Sequence, residues 1–150
     1  MRAVIQRVSS AAVEIDGECV AAIGRGLLVL LGIEEGDTAD DTTWLAPKIA
    51  KMRIFPDEAG LMNLALAEAG GGMIVVSQFT LHASTKKGNR PSFIRSARPD
   101  VSEPLYEGFC AAMEKELAGP IGRGRFGADM KVSLVNDGPV TIVMDTKARE

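Results

Sequence analysis

The sequence predicts an α/β protein, mostly β with two main helices, all in a single domain spanning 1–150. Three observations point there. Apolar residues alternate, or run continuously in strand-length blocks, over most of the chain, whereas only two stretches show helical spacing. Turn dipeptides separate these blocks, as in "IDGE" and "NDGP". The 150 residues suit one core, enough to bury roughly 68–70% of the surface the unfolded chain exposes.

In chain order, "AVIQRVSSAAVEIDGECVAAI" predicts a strand and then a hairpin. Val13 and Ile15 alternate with Glu14, Asp16-Gly17 makes the turn, and Val20 to Ile23 returns. "GLLVLLGI", Gly26 to Ile33, is apolar throughout, the mark of a strand buried on both faces. Asp37 or Thr38 caps a first helix in which Trp44, Leu45, Ile49 and Met52 share a face. Asp40 and Asp41 suit its positive end, and Pro47 predicts a kink or a late start. "RIFPDEAGLMNL" reads as a short strand, a turn through Asp57 to Gly60, and a short return.

A glycine-rich turn then leads into a strand from Met73 to Leu81, followed by a polar loop over 82–98. The second helix is predicted from about Ser102 to Leu117. Leu105, Phe109, Ala112, Met113 and Leu117 fall at helical spacing, Pro104 lies in the first turn, and Gly119-Pro120 stops it. "GRGRFGADM" reads as a connector, and strands Met130 to Val135 and Val140 to Met144 flank "NDGPVT".

Composition narrows the function. The net charge is -3, with 17 Lys+Arg against 20 Asp+Glu, so contact with nucleic acid requires a local basic patch. Cys19 and Cys110 stand alone, as ordinary thiols in a reducing compartment do. Arg2, Arg7, Glu14 and Asp16 interrupt any signal-peptide core, and "LLVLLGI" is far short of the roughly 20 residues of a membrane span. A soluble, cytoplasmic protein without a membrane partner is expected. His82 is the sole histidine, so no metal site and no cofactor are expected.

Four local patterns bear on chemistry. Gly122-x-Gly124-x-x-Gly127 matches the bare dinucleotide fingerprint, but no strand leads into it and no βαβ unit fits after it, so a turn or close backbone contact is the better reading. Thr80 and His82, two apart on a continuing strand, would share a face. They form either a nucleophile and base for small esters or polar residues at a sheet lip. Lys86, Lys87, Arg90, Arg95 and Arg98 lie in a loop without an acid, fit either to bind phosphates or simply to be solvated, with Phe93 as a possible stacking ring. "NDGPVT" is either an Asp-Gly hairpin turn or a place where Gly138 and Pro139 present bare backbone to a ligand.

Several stretches together resemble the D-aminoacyl-tRNA deacylases: "MRAVIQRVSSA", "KIAKMRIFPDEAGLMNL", "VVSQFTL", "KGNRPSF", "PLYEGF" and "FGADMKVSLVNDGPVT". They cover nearly the whole chain in order, and "SQFTL" together with "NDGPVT" is highly specific. The resemblance implies that family's fold, a mixed, mostly antiparallel β-sheet with a barrel-like core, together with a homodimer and an active site where the "SQFT" strand end meets a Gly-cis-Pro pair from the other subunit. It implies hydrolysis of the ester joining a D-amino acid to tRNA. Carried over by position, Gln78, Phe79 and Thr80 are the catalytic group, with backbone amides near Phe79 and Thr80 as oxyanion donors. Ser77, Gly138 and Pro139 bind substrate, Met130 forms pocket wall, and Arg7 supports the Gly-Pro segment.

The expected partner is tRNA, in contact with Lys86, Lys87 and Arg90, and glycyl-tRNA is an expected second substrate. The sequence departs from the family at "SQFTLHAS", where an aromatic is usual at the His82 position and an acid at Ser84, so His82 is not expected as an obligatory catalyst. A non-catalytic tRNA-binding module is the alternative from another class.

Overall fold

The computed structural model describes every residue from Met1 to Glu150. One six-stranded sheet carries the architecture. β1 (Arg2–Ile15) is central and pairs along one side with β8 (Lys131–Asp145). On its other side the first half of β1 pairs with β3 (Gly26–Gly32) and the second half with β2 (Glu18–Ile23). These pairings are antiparallel, whereas β3 with β6 (Gly72–Ser77) and β6 with β7 (Gly122–Arg123) are parallel. β2 folds back toward β6 and β7, giving the sheet its barrel-like closure. Glycine permits that approach: a Cβ on Gly122 would lie 2.8 Å from Ile74 Cγ1 and 3.2 Å from Ala21 Cβ.

β3 is buried on both faces, as its unbroken apolar run requires. Leu27, Val29 and Leu31 join a 21-residue core with α1 (Ala39–Ala50) and α2 (Pro99–Leu117), which contribute Leu45, Ile49, Tyr106 and Phe109. Leu28 faces the other way, into a six-residue core with Val8, Val13, Ile74 and Val76. Thr38 caps α1 in a capping box with Asp41. Helix α1 starts at Ala39, so Pro47 does not delay it. The Lys51 N–H donates to the Pro47 carbonyl at 3.1 Å and closes the last turn. β4 (Phe55–Pro56) and β5 (Met62–Leu64) form the small expected hairpin.

Five expectations change. β1 is one 14-residue strand, not a strand followed by a separate hairpin arm. β6 stops at Ser77, and Phe79–His82 forms a 3-10 turn. α2 begins at Pro99, three residues before the predicted start, because Pro99 rather than Pro104 occupies the first turn. Pro104 sits inside the helix. Gly122–Arg123, expected as connector, adds β7 to the edge of the sheet.

Finally, β8 is continuous through "NDGPVT". Val8 pairs with Asn136 and Gln6 with Thr141, so both halves lie on the same partner strand and residues 137 to 140 are extruded as a bulge. Asn136 closes the bulge by accepting from Val140 N–H at 2.8 Å and donating to Thr141 Oγ1 at 3.0 Å. Gly138 has φ +145° and the Gly138-Pro139 bond is cis.

Candidate active site at the end of strand β6

The site is built where β6 ends. The Gln78 N–H still donates to Leu31 O at 2.8 Å, continuing the parallel ladder, and the chain then coils into the Phe79–His82 turn. The first donors of a helical turn lack carbonyl partners. No backbone carbonyl and no side chain accepts from the N–H of Phe79 or Thr80. The turn's carbonyls are held instead: Ser96 Oγ donates to Phe79 O at 2.8 Å and Arg2 Nη1 donates to Leu81 O at 2.6 Å.

Beside this turn lies a cavity of about 580 Å³. Ser77, Gln78, Phe79 and Met130 line it, with Ser96 and Phe126 among the others. Phe79 is 57% exposed, and its ring meets Phe93 edge to face, with centroids 5.1 Å apart. No carboxylate, imidazole, amine, guanidinium, thiol or phenol contributes to the lining. Within one chain, the polar groups this cavity offers are main-chain groups, hydroxyls and the Gln78 amide.

No hydrogen bond joins Thr80 to His82. Thr80 Oγ1 accepts from Gln78 Nε2 at 2.5 Å. His82 is wholly buried, with Nδ1 3.9 Å from Glu34 Oε2. Burial pushes the imidazole below its ordinary range, against the pull of the Gly32 backbone and the Glu34 carboxylate. The same-face expectation fails because the strand has already ended at Ser77.

Gly138 and Pro139 do not line this cavity within one chain. They lie on the β8 bulge beside Arg7, whose Nε donates to Asp137 O at 2.8 Å and whose Nη1 donates to Ile54 O at 2.6 Å. A Cβ on Gly138 would stand 3.2 Å from Arg7 Nη2. Lys86, Lys87 and Arg90 are exposed and make no ion pair, whereas Arg95 is bound to Glu34 at 2.7 Å. Gly124 packs rather than binds: its N–H donates to Val75 O at 3.0 Å, its carbonyl accepts from the Tyr106 hydroxyl at 3.3 Å, and a Cβ there would meet Met130 Sδ at 2.6 Å.

Sequence reasoning missed Ser96 and Phe126 as wall residues. Ser96 is one polar residue in a basic loop and Phe126 one aromatic in a glycine-rich connector, so neither carries a pattern.

Fold and site together define an α/β domain with a cavity at a strand end that carries no acid or base, beside two unpartnered main-chain donors. The family model described as D-Tyr-tRNA(Tyr) deacylase matches residues 4–145, and the chain belongs to that family of ester hydrolases. A D-aminoacyl-tRNA deacylase of Akkermansia muciniphila is 62% identical, and one of Bacteroides thetaiotaomicron 59%, each over the full length of both chains. The solved structure of c-Myc DNA Unwinding Element Binding Protein superposes with a TM-score of 0.90 at 39% identity, covering 97% of this chain and 98% of the other. That of a probable eukaryotic D-amino acid tRNA deacylase gives 0.80 at 18% identity, covering 95% and 97%, and attests the fold alone.

Proposed function

We propose that this chain hydrolyses the ester of D-aminoacyl-tRNA to free D-amino acid and tRNA, and spares L-aminoacyl-tRNA. The observation that carries the reading is the pair of free N–H groups at Phe79 and Thr80 beside a cavity without an acid or base. An aminoacyl ester is activated, so positioning and oxyanion stabilisation suffice, and one such donor supplies about 3–4 kcal/mol. Water adds to the ester carbonyl, the oxyanion is held by the two amides, and the C–O bond to the ribose breaks as the departing ribose oxygen takes up the proton that the water gives. The neighbouring ribose hydroxyl positions the water. Ser77 and Met130 border the substrate, and Gln78 orders the Thr80 side chain.

The enzyme works as a homodimer. Since Gly138 and Pro139 lie outside their own chain's cavity, they serve the second copy's, where their main-chain oxygens collide with an L side chain and leave room for a D one. Backbone cannot swing aside as a rotamer does. Glycine has nothing to collide, so glycyl-tRNA is a second substrate. Arg7 holds the bulge in place, and Lys86, Lys87 and Arg90 meet tRNA phosphates.

Initial rates on D-tyrosyl-, L-tyrosyl- and glycyl-tRNA, with chelator present, test this. Turnover of the D and glycyl substrates with the L substrate spared is expected. Binding of D-tyrosyl-tRNA without turnover would instead make the chain a tRNA-binding module.

A further inference from the structure

The turn that carries the two free amides rests on a side chain that the proposed reaction does not use. His82 closes that turn, its ring is 0% exposed, and neither ring nitrogen meets a partner in good hydrogen-bond geometry, the Gly32 backbone only pulling on the ring. Buried polar atoms are rarely left so. The turn is seated on Gly32, where a Cβ would lie 3.1 Å from His82 Cδ2, 2.9 Å from Leu81 Cβ and 3.0 Å from Gln78 O. The ring therefore fixes how far the turn sinks toward β3.

Charges surround it. Glu34 Oε2 stands 3.9 Å from His82 Nδ1 and accepts from Arg95 Nη2 at 2.7 Å. Arg2, on β1, binds the carbonyl of Leu81 and is paired with Asp145 of β8 at 2.8 Å. The N-terminal ammonium acts on the ring from further away and is paired with Asp37, as is Lys147 at 3.1 Å; Asp37 also accepts from the Glu34 N–H. Glu34 is bridged by backbone to Ser96, the residue whose hydroxyl holds Phe79 O. One carboxylate oxygen thus faces both the Arg95 guanidinium and the His82 ring.

We propose that His82 is a positioning residue for the Phe79 and Thr80 amides, and that its neutral ring leaves Glu34 bound to Arg95, whereas a protonated ring draws Glu34 away and loosens the Ser96 anchor on the turn. The proposal rests on the role given above to those amides. It is a matter of competition: an imidazolium, desolvated and repelled by Arg2 and the N-terminal ammonium, has Glu34 as its near carboxylate.

The test compares wild type, His82→Phe and His82→Ala in kcat and KM for D-tyrosyl-tRNA between pH 5 and pH 8, and follows the Phe79 and Thr80 amides by 15N-1H NMR. At pH 7.5, kcat should fall in the order wild type, Phe, Ala, with the Ala variant down about tenfold or more and KM little changed. As pH falls below the ordinary imidazole range and His82 takes up its proton, the ratio of wild-type to His82→Phe kcat should drop, because the Phe variant has no proton to gain. Both amide resonances should shift with one midpoint in wild type and not in His82→Phe.

A constant kcat ratio with amides that do not titrate would overturn the proposal. Should His82→Ala fail to fold, the Phe comparison decides alone. Absence of deacylation with amides that still titrate with His82 would sink the proposed reaction and leave the coupling standing.

Discussion

Gln78 Nε2 donates to Thr80 Oγ1 at 2.5 Å, which engages one lone pair of the Thr80 hydroxyl with its own neighbour while the Thr80 N–H remains free. Thr80→Ala should therefore retain deacylation to within about tenfold, since the main-chain donor survives. Loss of a true nucleophile costs on the order of 10⁶-fold. Single-turnover rates on D-tyrosyl-tRNA separate the two.

Gly138→Ala places a methyl 2.7 Å from Val140 Cγ2 and 2.9 Å from Val140 N, at a φ of +145°. Both the clash and the backbone angle disfavour any side chain, so stability should fall by more than about 1 kcal/mol. Activity and D-over-L preference should fall with it. Urea unfolding alongside rates on both enantiomers checks this, and a variant with normal preference would count against the chirality role of the bulge.

Gly26→Ala drives its methyl into the Gly72 carbonyl across the parallel β3–β6 pair, with Gly72 C 2.8 Å and N 2.9 Å away. Neither strand can retreat without opening the sheet. A loss of about 3 kcal/mol or more is expected, or an insoluble product.

Neutralising Lys86 and Arg90 together should raise KM for tRNA. If each meets one phosphate, the slope of log KM against log salt should flatten by about 0.7–0.9 per residue. An unchanged slope would return the loop to a merely solvated surface.

His82 also links stability to pH. Burial first, then Arg2 and the N-terminal charge, lower its folded-state pKa, and the Gly32 backbone and Glu34 only partly oppose them. The unfolded chain therefore takes up the proton first. Its contribution is fully present above the ordinary value of 6.5 and is lost as pH falls below it, down to the folded-state value. Urea midpoints should decline more steeply between pH 6.5 and 5 in wild type than in His82→Phe.

The strands that alternate or run unbroken, the capping signals at Thr38 and the two helical spacings were legible because each is local: which side of an element is apolar is written in its own period. "SQFTL" and "NDGPVT" were legible as site elements through family likeness. By themselves the residues left "NDGPVT" open between hairpin and presented backbone, since Asp-Gly favours a turn whatever follows.

Tertiary structure decided what no short stretch contains. It set both arms of "NDGPVT" on β1, so that the excess residues bulge rather than reverse. It ended β6 at Ser77 because the chain there leaves its pairing with β3, buried His82 instead of aligning it with Thr80, and brought Ser96 and Phe126 to one cavity. Pairing partners and close approaches such as Gly26 to Gly72 depend on residues far apart in the chain, and the energy that selects them belongs to the packed whole.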